Sequence, residues 1–168
     1  LAGRFPKALF FRQEAHLDPR KALSALTANL EEARVRLLFG AIDKREMWHF
    51  DRMIDCTGAA QIGRLPALRG VRGEMLGLET GEVTLSRPIR LLHPRHPIYI
   101  VPRERHRFMV GATMIESGDA GPVTARSLME LLNAAYALHP AFGEARVIET
   151  GAGIRPAYPD NLPRVTED

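Results

Sequence analysis

The chain has 168 residues, with 45% apolar and 26% charged, close to a globular average and long enough for about one domain with a sizeable core. Twenty-three basic residues against 20 acidic ones leave a net charge of +3; the basic set is 20 Arg and 3 Lys, interspersed with Glu and Asp rather than clustered, so a nucleic-acid face is not indicated. No apolar run approaches the roughly 20 residues of a membrane span, no signal-peptide core is present, and the single cysteine, Cys56, excludes a scaffold stapled within the chain. The expectation is a cytoplasmic protein without nucleic-acid or membrane partners.

In chain order, the spacing first predicts a helix over residues 19–33. Leu23, Leu26 and Leu30 fall on one face, Asp18 offers an N-cap and Pro19 suits the first helical position. Residues 35–39 read as a short buried strand ended by Gly40, residues 45–50 as a weak strand, and residues 52–56 as an apolar strand. That placement makes Cys56 a buried structural thiol rather than a nucleophile. The small-residue turn Thr57–Gly58–Ala59–Ala60 follows, where a ligand or another backbone can come close.

The middle of the chain is strand-rich. Residues 71–78, 88–92, 98–102 and 107–112 read as strands separated by short turns, a pattern of antiparallel hairpins. Residues 118–122 read as a loop. Thr124 caps a second helix running to Leu138, with Leu128, Leu131, Ala135 and Leu138 as its buried stripe and Pro140 beyond its end. Residues 145–150 read as a last strand that leads into Gly151–Ala152–Gly153–Ile154–Arg155–Pro156, expected as a proline-rich loop. The mixture is α/β with α+β character.

Few residues announce chemistry by type and spacing. His93 and His96 sit among prolines with no carboxylate or cysteine at ligand spacing, so no metal site is expected. Nucleophile-elbow and phosphate-loop patterns are absent. The 151–156 segment opens as G-x-G but has Pro where the third Gly of a dinucleotide fingerprint belongs. Its glycines fit close approach to a flat group, or a bend. Arg155 lies between glycines and Pro156 on stiff backbone. A guanidinium there suits either bidentate capture of a carboxylate or a structural ion pair. Taken alone, Tyr99 is a core or edge tyrosine, Met114 a gap-filling residue and Glu74 a member of a strand-end ion pair.

Together, however, several segments resemble the flavin-dependent D-amino-acid oxidase superfamily, most closely its glycine oxidase branch of thiamine biosynthesis. They are His16–Leu17–Asp18–Pro19–Arg20, Val71–Arg72–Gly73–Glu74–Met75, Leu91–Leu92–His93–Pro94, Ile98–Tyr99–Ile100–Val101–Pro102–Arg103, Val110–Gly111–Ala112–Thr113–Met114 and Gly151–Ala152–Gly153–Ile154–Arg155–Pro156, with Asp160–Asn161–Leu162–Pro163 after them. They stand in family order over nearly the whole chain.

The resemblance implies part of an FAD-binding domain plus an antiparallel-sheet substrate domain, interleaved along the chain. Residues 1–15 would end a first substrate-domain segment and residues 16–68 would be part of the FAD-binding domain. Residues 69–153 would form the substrate-binding domain, and residues 154–168 would begin the return to FAD. The resemblance also implies oxidative deamination of glycine or a small D-amino acid by hydride transfer to flavin, in thiamine (thiazole) biosynthesis. Arg155 matches the family's carboxylate-clamping arginine, and Tyr99 and Met114 match pocket residues. Ala41 matches a position whose backbone meets the adenine of the cofactor, and Thr57 and Gly58 match the turn after the strand that approaches it. Neither the family's N-terminal GxGxxG unit nor its C-terminal flavin-wrapping segment is among these residues. The expectation is therefore an internal fragment of a larger oxidase, inactive by itself, whose FAD belongs to the parent enzyme. Such a piece would expose an apolar face and self-associate. The competing readings are a sarcosine oxidase-like or D-amino-acid dehydrogenase flavoprotein, and a non-catalytic interaction module.

Overall fold

The computed structural model describes residues 3–40, 50–93 and 97–167, which fall into two compact units, Leu17–Thr57 and Leu1–His16 with Gly58–Asp168.

The smaller unit holds one helix, α1, Pro19–Glu32. It forms where its capping residues dictate. The Asp18 carboxylate accepts hydrogen bonds from the N–H groups of Arg20 (2.9 Å) and Lys21 (3.3 Å), which have no partner within the helix. The leucine stripe faces outward, with Leu23, Leu26 and Leu30 all exposed. Two expected strands do not form. Residues 35–39 and 52–56 have no β partner among the described residues, and Phe39 is 91% exposed. Cys56 is correspondingly exposed rather than buried. An apolar run becomes a strand only where another edge satisfies its backbone, and the described part of this unit offers none. The expected strand at 45–50 lies, apart from Phe50, outside the described residues, as does Ala41.

The larger unit is built on β1, Arg69–Glu79. Then come β2 (Ile89–Leu91), β3 (Ile98–Arg103), β4 (Arg107–Gly111), β5 (Ile115–Glu116), helix α2 (Ala125–Leu138) and β6 (Arg146–Ala157). Strands β2, β3 and β4 form the expected antiparallel meander. One edge of β1 pairs with β4 and then β5, and the other pairs antiparallel with β6 from Arg69 to Glu79. The segment Gly151–Pro156 is therefore strand, not loop. Its glycines, unfavourable in an isolated strand, are held by the ladder to β1.

Alternation along β1 divides the sheet into two faces. One carries Leu76, Leu78, Ile98, Ile100, Phe108 and Val110, all buried against Leu131, Ala134, Ala135 and Leu138 of α2 and against Phe142. The Phe108 and Phe142 rings meet edge to face at 5.3 Å. Thr124 caps α2 as expected, its Oγ1 accepting from the Ser127 N–H at 3.2 Å. Among the described residues, no helix is long and apolar enough to cross a membrane, and no cluster of three or more His, Cys, Asp or Glu side chains could hold a metal ion.

Candidate functional site

The second face of the sheet, away from α2, carries the residues of interest. Register decides this. Arg155 pairs with Val71, Gly153 with Gly73 and Gly151 with Met75, while Met75 pairs with Gly111 and Gly111 with Tyr99. Paired residues in an antiparallel ladder project to the same side. Arg155 and Tyr99 therefore share one face, paved between them by Gly73, Gly111, Gly151 and Gly153.

Two of those glycines are explained by the side chains lying over them. A Cβ on Gly73 would run into the Arg155 guanidinium, with Nη2 nearest and Cζ 2.9 Å away. A Cβ on Gly111 would stand 2.9 Å from the Tyr99 hydroxyl and 3.0 Å from its Cζ. The glycines let an arginine and a tyrosine lie flat on the sheet. Arg155 is anchored there by one hydrogen bond, Nη2 donating to the Thr113 carbonyl at 3.3 Å. Thr113 is fixed in turn by β1: its N–H donates to the Glu74 carbonyl at 3.1 Å, and its Oγ1 accepts from the Glu74 N–H at 2.9 Å. Met114 follows directly and is 69% exposed. The structure thus gathers Arg155, Tyr99 and the Thr113–Met114 segment in one unit. Among the described residues no carboxylate pairs with Arg155, so the alternative of a structural ion pair is not realised there.

Thr57 and Gly58 are described separately. Asp55 Oδ1 accepts from the Thr57 N–H (2.9 Å) and hydroxyl (2.6 Å), closing a tight turn in the smaller unit. Gly58 adopts φ +60 and opens a short 3-10 turn, Gly58–Gln61, in the larger one. That left-handed conformation favours glycine. A shallow cavity of about 220 Å³ lies at the β3–β4 turn, lined among others by Val83, Leu85, Arg103 and Phe108. None of the expected site residues lines it.

Sequence reasoning underrated Arg72 and Glu74. Both sit on the α2 side of β1, 2% and 0% exposed, and they form an ion pair with Arg72 Nε 2.6 Å from Glu74 Oε1. The pair lies in mid-strand, not at a strand end. Arg72 also donates to the carbonyls of Asp119 (2.6 Å), Gly121 (2.9 Å) and Pro122 (2.5 Å) and to the Asp119 carboxylate (2.9 Å). Glu74 Oε2 accepts from the Thr124 hydroxyl at 3.2 Å, at the N-terminus of α2. Burial works to raise the Glu74 pKa, but hydrogen bonds from Ser127, Arg72 and Thr124 outweigh it and hold the carboxyl below its ordinary value of 4.5. The signal was present in the i, i+2 spacing of Arg72 and Glu74 around Gly73, which puts opposite charges on one side of a strand. What it could not show was which loop they tie down.

Gly73 carries a prediction. Gly73→Ala is expected to push the guanidinium off its seat with only a small change in thermal stability, because the atoms in the way end a flexible side chain. Weakened binding of small carboxylates with a nearly constant melting temperature checks it.

The antiparallel sheet thus buries one face under a helix and lays an arginine and a tyrosine over glycines on the other. Residues 1–168 match the FAD dependent oxidoreductase (DAO) family, and the chain belongs to that family. It is 77% identical over 168 residues to a Rhizobium etli protein named as a thiamine biosynthesis oxidoreductase, ThiO, covering all of this chain and 51% of that protein. It is 30% identical over 112 residues to a glycine oxidase of Geobacillus kaustophilus, covering 64% of this chain and 28% of the relative. A crystal structure of glycine oxidase from Geobacillus kaustophilus superposes with a TM-score of 0.54 at 29% identity, over 66% of this chain and 29% of that one. The chain thus spans about half the length of the Rhizobium relative.

Proposed function

We propose that the full-length protein is an FAD-dependent oxidase of glycine or another small amino acid, serving thiamine (thiazole) biosynthesis. The observation that carries this reading is Arg155, laid over Gly73, anchored by the Thr113 carbonyl and paired with no acid among the described residues. Such a guanidinium retains donors for a substrate carboxylate. The 77% identity to the Rhizobium protein supports the pathway.

In this reading Arg155 holds the substrate carboxylate, Tyr99 adds a hydrogen bond from its hydroxyl, and Met114 limits the space beyond. Binding at fixed points aligns the Cα–H and removes the entropy of a loose encounter, which is most of what the protein must supply to a cofactor reaction. The residues present fit a flat cofactor stacked beyond the bound substrate, since the sheet face carrying Arg155 and Tyr99 is paved with glycines and, among the described residues, raises no bulky side chain over Gly73 and Gly111 other than these two. FAD, when bound, supplies the acceptor for the hydride from Cα. In the same proposal Ala41 meets the adenine through its backbone, and Thr57 and Gly58 belong to a turn that approaches the cofactor.

The domain map is part of the same proposal: residues 1–15 end a first substrate-domain segment, 16–68 are part of the FAD-binding domain, 69–153 form the substrate-binding domain and 154–168 start the return to the FAD domain. So are a cytoplasmic location and self-association through exposed apolar side chains.

Turnover of glycine, sarcosine and D-alanine by the purified full-length protein tests the function. Glycine is expected to give the highest kcat/KM. A preference for sarcosine moves the protein to a neighbouring amine-oxidising specificity, and no turnover of any of the three refutes the reading.

A further inference from the structure

The strand glycines of the larger unit separate into four at which a Cβ would crowd a neighbour, one at which it would make an ordinary contact, and one at which it would meet nothing among the described residues. A Cβ on Gly70 would meet Ile154 Cγ2 at 3.0 Å and the Gly118 backbone at 3.2 Å, and one on Gly77 would meet Glu149 Cβ at 3.0 Å. Gly73 and Gly111 lie under Arg155 and Tyr99, whereas at Gly151 a Cβ would make only an ordinary contact, 3.5 Å from Met75 Cγ. At Gly153 a Cβ would meet nothing within 4 Å among the described residues, and the backbone is not left-handed. Glycine in a strand interior weakens the strand, and the described residues give no packing reason for it at 153.

Its position supplies another reason. Gly153 is the direct partner of Gly73, over which the Arg155 guanidinium lies, and it is on the same face. The next pair on that face is Met75 with Gly151. The open space over Gly153 is therefore bounded by the guanidinium on one side and by Met75 diagonally across.

We propose that Gly153 is a specificity-determining position: it floors the space into which the Cα of a small amino acid projects when Arg155 holds its carboxylate, with the half-buried Met75 as the adjoining wall. The inference rests on the carboxylate-clamp reading of Arg155. A side chain at 153 would take volume from the Cα substituent first, and from the carboxylate only slightly.

The test uses the purified full-length protein with Gly153→Ala, measuring thermal midpoint and equilibrium binding of acetate, propionate and isobutyrate by calorimetry. The expected result is a midpoint unchanged or raised, acetate bound within about threefold of the unmodified protein, and isobutyrate weakened more than tenfold. Met75→Ala is expected to shift the series the other way, towards the bulkier acids. An unchanged acid series in Gly153→Ala overturns the proposal, as does a lowered midpoint with uniform loss of all three acids, which would give Gly153 a structural role. Arg155→Lys separates the two levels of inference. If it loses all the acids while Gly153→Ala binds normally, only the present proposal fails. If Arg155→Lys binds them normally, or the unmodified protein binds none, the clamp reading fails and takes this one with it.

Discussion

Arg155→Lys in the full-length protein is expected, on the proposed carboxylate-binding role, to raise the apparent KM for a small amino acid about 100-fold, on the order of 3 kcal/mol of lost binding, with a smaller effect on kcat. The reason is geometric. The guanidinium lies flat over Gly73, spends one Nη2 hydrogen on the Thr113 carbonyl and keeps the rest of its planar fork for a ligand. A lysine ammonium is a compact point charge that cannot hold the carbonyl and offer two parallel donors together. Arg155 is exposed in this chain and has no ion-pair partner among the described residues, so the fold should tolerate the change. Steady-state kinetics alongside a melting curve make the check. Near-normal KM removes Arg155 from the site, and a collapse of the melting temperature makes its role structural.

The second large effect concerns stability. Arg72→Ala is expected to cost about 3–5 kcal/mol, because it strands the fully buried Glu74 carboxylate and leaves the carbonyls of Asp119, Gly121 and Pro122 without their donor. The double change Arg72→Met with Glu74→Leu should recover much of the loss, since a buried ion pair can be replaced by apolar groups at little net cost. Denaturant midpoints of the full-length variants decide the matter: a single variant as stable as the parent would show the pair to be energetically idle. Acid provides a companion signature. The Glu74 pKa is lowered by folding, so its contribution is fully present above the ordinary value of 4.5 and is lost as pH falls through the lower folded value. Glu74→Gln should therefore flatten the stability profile on the acid side.

The two effects act on opposite sides of β1, which links them. On one side Arg72 and Glu74 tie β1 to residues 119–124 at the start of α2; on the other, the backbone of Glu74 holds Thr113, whose carbonyl anchors Arg155. Loosening the buried pair should thus also blur the position of the Arg155 guanidinium.

By itself, the sequence determined what local chemistry can determine. Asp18 before Pro19, and Thr124 before an apolar stripe, place two helix starts, because a cap satisfies N–H groups within three residues of itself. Short turns between alternating segments specify the meander of β2, β3 and β4, whose partners are neighbours in the chain. The local pattern of glycines and Pro156 already marked Arg155, and the six ordered segments added Tyr99 and Met114, which no single residue pattern marked as special.

Tertiary structure alone decided the rest, wherever the partner is distant. Residues 35–39 and 52–56 are apolar enough for strands and form none among the described residues, since hydrogen-bonding need is met by a neighbouring edge and not by composition. The glycine-rich run at 151–156 reads as a loop yet is strand, because β1, some 80 residues away in sequence, supplies its ladder. The glycines themselves became intelligible only when the side chains lying over Gly73 and Gly111 were in place. Arg155 and Thr113 are 42 residues apart, and Arg72 and Asp119 are 47 apart. Contacts of that span arise from sheet register, a property of how whole strands align, which no short window of sequence encodes.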